Sequence, residues 1–177
     1  MTTHVFDFMD AKFSTDGLYR YRLDRGWPGG IGRIVWILCN PSKANETKND
    51  PTLRKVIFYS QLWGFNALTV VNMFAWCATK PQHLIAQAKA GVDVVGPEND
   101  GEIRAALEDA QELVLGWGAL QLRKLVAERT KRILSAVREA GLSPMHLGLN
   151  DDGTPKHPLY LANNTPREPF PMPALAA

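Results

Sequence analysis

The sequence predicts an α/β protein with a central, mostly parallel four-stranded sheet and a small amino-terminal β-hairpin. Arg33 to Ser42 reads R-I-V-W-I-L-C-N-P-S, a near-continuous apolar run that stops abruptly, as does a strand buried on both faces. A second run, A-L-T-V-V-N-M-F at 67 to 74, follows a well-formed helix start. Strand, helix, strand at this spacing is a βαβ unit, so the two strands run parallel.

Each element has a local reason. Asp16-Gly17 is a hairpin turn signal, and Leu18 to Leu23 has the composition of a strand, which places a hairpin at a sheet edge. Arg25 to Gly32, with four glycines and Pro28, reads as a loop. The strand Ile34 to Cys39 then ends in Asn40-Pro41-Ser42. Proline cannot donate to a sheet ladder and keeps the residue before it extended, so Asn40 is expected at the carboxyl end with its amide pointing outward. A polar excursion runs to Asn49. Asp50-Pro51 starts a helix, with Asp50 as N-cap, an apolar face of Leu53, Val56, Ile57 and Leu62, and a stop at Gly64. Thr79 and Gln82 suggest a capping box for a helix through Ala90. Asn99 or Asp100 caps the next helix, through Ala110. Leu113 to Gly118 is a third strand running into a glycine turn, a helix over about 119 to 140 closes at Gly141, and Met145 to Leu149 is a fourth strand. A single domain over 1–168 and a disordered tail over 169–177 complete the expected organisation.

Composition bounds the function. Hydrophobic content of 45% and charged content of 21% are those of an ordinary soluble globular protein. No apolar run approaches the ~20 residues of a membrane helix, and the first ten residues lack a signal-peptide pattern, which points to a cytoplasmic protein with no membrane partner. Cys39 and Cys77 are expected as buried free thiols. Two cysteines and four scattered histidines, His4, His83, His146 and His157, show no metal spacing, so neither a metal nor another cofactor is expected. The net charge of +2 is small but uneven, with six basic residues between Arg123 and Glu139. A solvated helix face and a phosphate-facing one both fit that pattern.

In a parallel sheet the carboxyl ends of the strands converge on one edge, where ligands bind. Asn40-Pro41-Ser42, Asn72 and Trp117-Gly118 end three of the expected strands, and His157-Pro158 lies eight residues beyond the fourth. Residues far apart in sequence are thereby brought to line one cleft.

The segments N-P-S (40 to 42), D-P-T-L-R (50 to 54), V-V-N-M-F-A (70 to 75), G-P-E-N-D (96 to 100), W-G (117 to 118) and G-T-P-K-H-P-L-Y (153 to 160) resemble a bacterial and phage family catalogued as a domain of unknown function, number 1643. That resemblance covers roughly Tyr19 to Phe170. The order strand-N-P-S, strand-ending Asn, strand-ending Gly, then H-P is also similar to the uracil-DNA glycosylase superfamily, in which a strand ends in a water-positioning Asp or Asn followed by Pro and a late His-Pro completes the site. Two departures stand out. Leu38 occupies the place of that motif's glycine, and the final motif reads His-Pro-Leu where the superfamily has His-Pro-Ser.

The second resemblance implies a three-layer α/β/α fold and a DNA base glycosylase acting on a modified pyrimidine. In that reading Asn40 holds a water on one face of the sugar, and His157 donates a hydrogen bond to the base as negative charge develops there. Asn72 has the donor and acceptor to read a base edge. Pro41, Ser42, Thr52 and the N–H groups opening the helix after Asp50 are candidates for substrate or phosphate, although the Asp50 charge opposes an anion. Arg54 pairs either with phosphate or with Asp50. Trp117, beside Gly118, and Trp76 are candidate stacking surfaces. Two other readings stay open: a non-catalytic nucleotide or nucleic-acid binding module, with Lys43 and Lys48 fitting either case, and another nucleotide-modifying reaction on the same fold, for which Asp50 and Asp100 would form an acid–base pair if they shared a cleft. The expected partner throughout is DNA or a nucleotide containing a modified pyrimidine.

Overall fold

A computed structural model describes residues 5–174; the ends of the expected domain and tail, residues 1–4 and 175–177, lie outside it. The architecture is mixed α/β. Along the chain run β1 (Phe8–Phe13), β2 (Arg20–Gly26), β3 (Arg33–Leu38), α1 (Pro51–Leu62), β4 (Ala67–Asn72), α2 (Pro81–Lys89), α3 (Asn99–Glu108), β5 (Glu112–Leu115), α4 (Arg123–Glu139), β6 (Met145–His146), a short 3-10 turn (Pro158–Tyr160) and β7 (Glu168–Pro169).

The expected four-stranded sheet is in fact seven-stranded, in the order β1-β2-β4-β3-β5-β6-β7. The four expected strands do pair in parallel, β4 with β3, β3 with β5, and β5 with β6. Three antiparallel pairings flank them: β1 with β2, β2 with β4, and β6 with β7. The reason is that β4 and β6 would otherwise be open edges, and the amino-terminal hairpin and a return of the carboxyl-terminal segment cover them. β2 is therefore an interior strand and extends to Gly26, through residues expected as loop. At the other end, the stretch expected as a tail begins inside β7, and Phe170 donates its N–H to the carbonyl of Pro144 (2.8 Å) and packs on the core.

Alternation along β3 divides its side chains between two apolar clusters. Ile34, Trp36 and Leu38 join Leu53, Val56, Ile57 and Tyr59 of α1, while Val35 and Ile37 join Leu84 of α2 together with apolar residues of α3 and α4. Trp36 is held further by its Nε1–H to Ser60 Oγ (3.0 Å) and by ring stacking with Trp63.

Helix starts follow the sequence where a cap is strong. Asp50 Oδ1 accepts from the Leu53 N–H (2.8 Å), Pro51 opens α1, and Gly64 at φ +84° lets the chain leave it. The Thr79–Gln82 box does not form: Pro81 fixes the first helical position, Lys80 is the N-cap, and Thr79 faces a cavity. Glu98, not Asn99 or Asp100, precedes α3. Asn99 is buried instead and donates to the carbonyls of Asn72 (3.0 Å) and Met73 (3.2 Å), tying the start of α3 to the end of β4. α4 begins only at Arg123, and Ala119 and Leu120, expected in its first turn, instead line the same cavity as Thr79.

Candidate active site

β3 leads into α1 on one face of the sheet, and β5 leads into α4 on the other. Neighbouring parallel strands whose connections diverge in this way leave a crevice at their carboxyl ends. A cavity of about 580 Å³ opens there, within the ~300–1,000 Å³ range of small-ligand sites. Its walls come from the end of β3 (Asn40, Ser42), the start of α1 (Asp50, Thr52), the end of β5 (Trp117, Gly118) and the segment carrying His157.

The carboxamide of Asn40 is held in one orientation. Its Nδ2 donates to the carbonyls of Pro41 (2.9 Å) and Ala78 (2.8 Å), and only the amine end of the group can do so. Asn40 lines the cavity, and its Oδ1 accepts from no donor among the described residues. Pro41 itself is buried and serves through its carbonyl, which also accepts from the Ala78 N–H, so it anchors Asn40 and lines no part of the cavity.

His157 is half-buried, and its Nδ1 accepts from the Leu159 N–H (3.3 Å), which fixes Nε2 as the protonated nitrogen of the neutral ring. Burial lowers its pKa from the ordinary 6.5, against an opposing pull from Asp50. The group is therefore a neutral N–H donor at pH 7. Because the folded pKa lies below the unfolded one, the unfolded chain takes up the proton first, and His157 withdraws stability as pH falls through the unfolded value toward the folded one. In an NMR titration its ring protons should change shift below 6.5; a midpoint above 6.5 would contradict this environment.

Two glycines admit the His157 segment to the end of β5. A Cβ on Gly116 would lie 3.1 Å from Pro158 Cδ, and one on Gly118 would lie 3.1 Å from His157 Cβ. Gly118 also sits at φ +72° and donates to the Pro155 carbonyl (2.8 Å). Gly118→Ala should cost about 1–2 kcal/mol from the left-handed backbone alone and displace His157, measured as a lower urea midpoint with a shifted His157 titration.

The helix start offers less to an anion than the sequence suggests. Pro51 has no N–H, and the amides of Leu53 and Arg54 are taken by Asp50, through Oδ1 and through its backbone carbonyl. Thr52 and Ser42 line the cavity. Arg54 does not: it is exposed and donates to the Asn49 carbonyl (2.7 Å).

Asn72 is buried and lines a smaller recess of about 40 Å³ that shares Asn40, Ser42, Asp50, Thr52 and His157 with the main cavity. Trp117 lines the main cavity, whereas Trp76 packs edge-on against Tyr19 with ring centres 5.4 Å apart and lines none of it. Asp50 and Asp100 do not share a cleft, since Asp100 pairs with Arg129 (2.5 Å) and Arg132 (3.4 Å) between α3 and α4. Arg129 is thereby removed from the expected basic face; it is buried and also donates to the Met73 carbonyl. Lys43 and Lys48 are exposed on the loop after β3. Cys39 lines the cavity, but burial pushes its thiol up to about 12, leaving essentially no thiolate nucleophile at neutral pH. Cys77, like Cys39, is a free, half-buried thiol.

Sequence reasoning missed two arginines of β2. Arg25 is fully buried, and its guanidinium donates to Asn49 Oδ1 (2.9 Å) and to the carbonyls of Asp24 (2.7 Å), Asp10 (3.3 Å), Asn45 and Lys48 (3.4 Å). Arg20 is also buried and donates to the Ala44 carbonyl (2.7 Å). Together they pin the loop between β3 and α1 that carries one cavity wall. The strand register slips between Lys12 and Phe13, a bulge that lets Arg20 and Leu23, three positions apart, line the same recess.

Residues 20–159 match the family described as a protein of unknown function (DUF1643). The chain belongs to that family. The matched span begins at Arg20 and ends at Leu159, so this DUF1643 member carries the buried arginines, Asn40, Asn72 and His157 inside the shared region. No curated protein and no solved structure matches the chain at a significant level. Among the described residues no helix is long and apolar enough to cross a membrane.

Proposed function

We propose that this DUF1643 protein is a DNA base glycosylase-like hydrolase, built on a three-layer fold of the uracil-DNA glycosylase kind, that breaks the N-glycosidic bond of a modified pyrimidine in DNA or a nucleotide. The observation that carries the reading is the convergence on one cavity of about 580 Å³ of a tethered Asn40, whose Oδ1 has no donor among the described residues, and a neutral His157, whose Nε2–H has no acceptor among them.

In this reaction the C1′–N bond breaks with its electron pair leaving on the base, and water adds to C1′, its hydroxyl staying on the sugar and its proton passing through solvent to the released base. Asn40 Oδ1 accepts from that water and aims it; an amide is a weak base, so its contribution is position. His157 donates to a carbonyl oxygen of the base, where the departing negative charge collects, and a neutral donor suffices for this. The Asp50 charge on the same wall favours a sugar that becomes cationic. Trp117 offers a ring to the base, and the recess at Asn72 meets one of its edges.

An abasic-site assay on single-stranded and duplex oligonucleotides carrying uracil, 5-hydroxymethyluracil and other modified pyrimidines tests the proposal. Abasic product from at least one substrate is expected. Saturable binding of those substrates with no product would replace the enzyme by a binding module.

A further inference from the structure

The recess beside the main cavity is lined by two residues, each with a buried polar atom that has no hydrogen-bond partner among the described residues. Arg20 is 5% exposed and donates to the Ala44 carbonyl, but its Nε has no hydrogen-bond partner among the described residues; Asn72 is 1% exposed, and its Oδ1 has none among them either. One is a donor and the other an acceptor. Leaving such groups unpaired away from water is costly, so their neighbourhood is built for something that supplies both a lone pair and a proton. The remaining walls are the apolar residues Leu23, Leu38, Ala44, Leu53 and Val70 together with the residues shared with the main cavity.

Size and charge narrow the occupant. A recess of about 40 Å³ takes more than a single water needs and far less than a pyrimidine ring needs. Asp50 lines the same recess, so an anionic group would face a carboxylate there and bring no proton for Asn72 Oδ1. A methyl group would fill the space and satisfy neither atom. A hydroxyl on a one-carbon arm fits both conditions, accepting from Arg20 Nε–H and donating to Asn72 Oδ1.

We infer that the Arg20–Asn72 recess is a specificity subsite for a small neutral hydroxyl-bearing substituent, such as hydroxymethyl, on the base held in the main cavity. This deepens the glycosylase reading and rests on it for the identity of the ligand as a pyrimidine. What the subsite adds is a discrimination between substituents, which binding alone reveals.

The test is calorimetric titration of the protein with 5-hydroxymethyl-2′-deoxyuridine, thymidine, 2′-deoxyuridine and 5-carboxy-2′-deoxyuridine. The hydroxymethyl compound should bind roughly 10- to 100-fold more tightly than the other three, the range set by one satisfied against one unsatisfied buried pair. Asn72→Leu and Arg20→Met, each checked for a cooperative melt, should reduce that preference to about 1. Equal affinities for the four ligands, or a preference that both variants keep, would overturn the subsite and leave the recess to ordered water. The parent comparison decides the matter even if both variants fail to fold. Base release from hydroxymethyl and unsubstituted substrates separates the two claims: discrimination without release contradicts the hydrolase and keeps the subsite, while release without discrimination does the reverse.

Discussion

Replacing Asn40 by alanine should lower base release by about 10²- to 10³-fold, and replacing His157 by alanine by a similar factor. The two losses have different origins. Without Asn40 Oδ1 the attacking water has no fixed acceptor, so its placement becomes one of many; without His157 Nε2–H the charge on the leaving base loses its positioned donor. Asn40→Asp is the more informative substitution. An aspartate keeps an oxygen facing the cavity but turns its second oxygen toward the carbonyls of Pro41 and Ala78, where Nδ2 now donates at 2.9 and 2.8 Å. Acceptors facing acceptors repel, so Asn40→Asp should lose activity and about 2 kcal/mol of stability. Full activity and an unchanged melt in the Asn40→Asp variant would show that the tether is unimportant. Single-turnover rates beside thermal melts provide the check.

Arg25→Leu should be the most destabilising single change among the residues around the site, at about 4 kcal/mol. Its guanidinium reaches Asn49 Oδ1 and four backbone carbonyls from β1, β2 and the loop before α1, and leucine removes the donor from all five oxygens, which are buried or partly buried. With a slope near ~2 kcal/mol per molar urea, the unfolding midpoint should fall by roughly 2 M. Arg25→Lys should recover little, because one ammonium cannot span the planar fork of contacts. Lys48→Ala on the exposed outside of the same loop should stay within about 0.5 kcal/mol. Equal midpoints for Arg25→Leu and Lys48→Ala would mean that the loop is held by something else.

Asn40 and Arg25 mark where the sequence was readable and where it was not. β3, α1 and β4 were legible because their signals are local: an apolar run, a proline after an N-capping aspartate, a glycine at the stop. The carboxyl-edge position of Asn40 followed from Pro41 alone. The sequence places Arg25 at the opening of a loop, since nothing in a polar residue beside Gly26 announces that its side chain is buried under a loop some twenty residues later. The signal that was available is the β-rich stretch before it, which continues through Arg22 and Leu23 into Arg25; carrying the strand two residues further would have placed a charge in the interior and asked for its partners. Arg20 was hidden by the bulge, which breaks the alternation that a strand reading relies on. β7 was illegible because two residues pair only by virtue of what β6 presents to them. Asn72 was placed on the right strand end, but its position in a side recess depends on the packing of Leu23, Leu38 and Val70 around it.

If Asn40 and His157 have the roles proposed for them, water is delivered to C1′ and the base leaves intact, and hydrolysis in ¹⁸O-labelled water follows the oxygen to its destination. The protein is incubated with an oligonucleotide from which it releases product, and the free base and the abasic strand are weighed separately by mass spectrometry. One ¹⁸O atom in the abasic sugar and none in the released base is the expected result. Label in the base, or an altered base still attached to its sugar, would place the chemistry on the ring and contradict the roles assigned to Asn40 and His157.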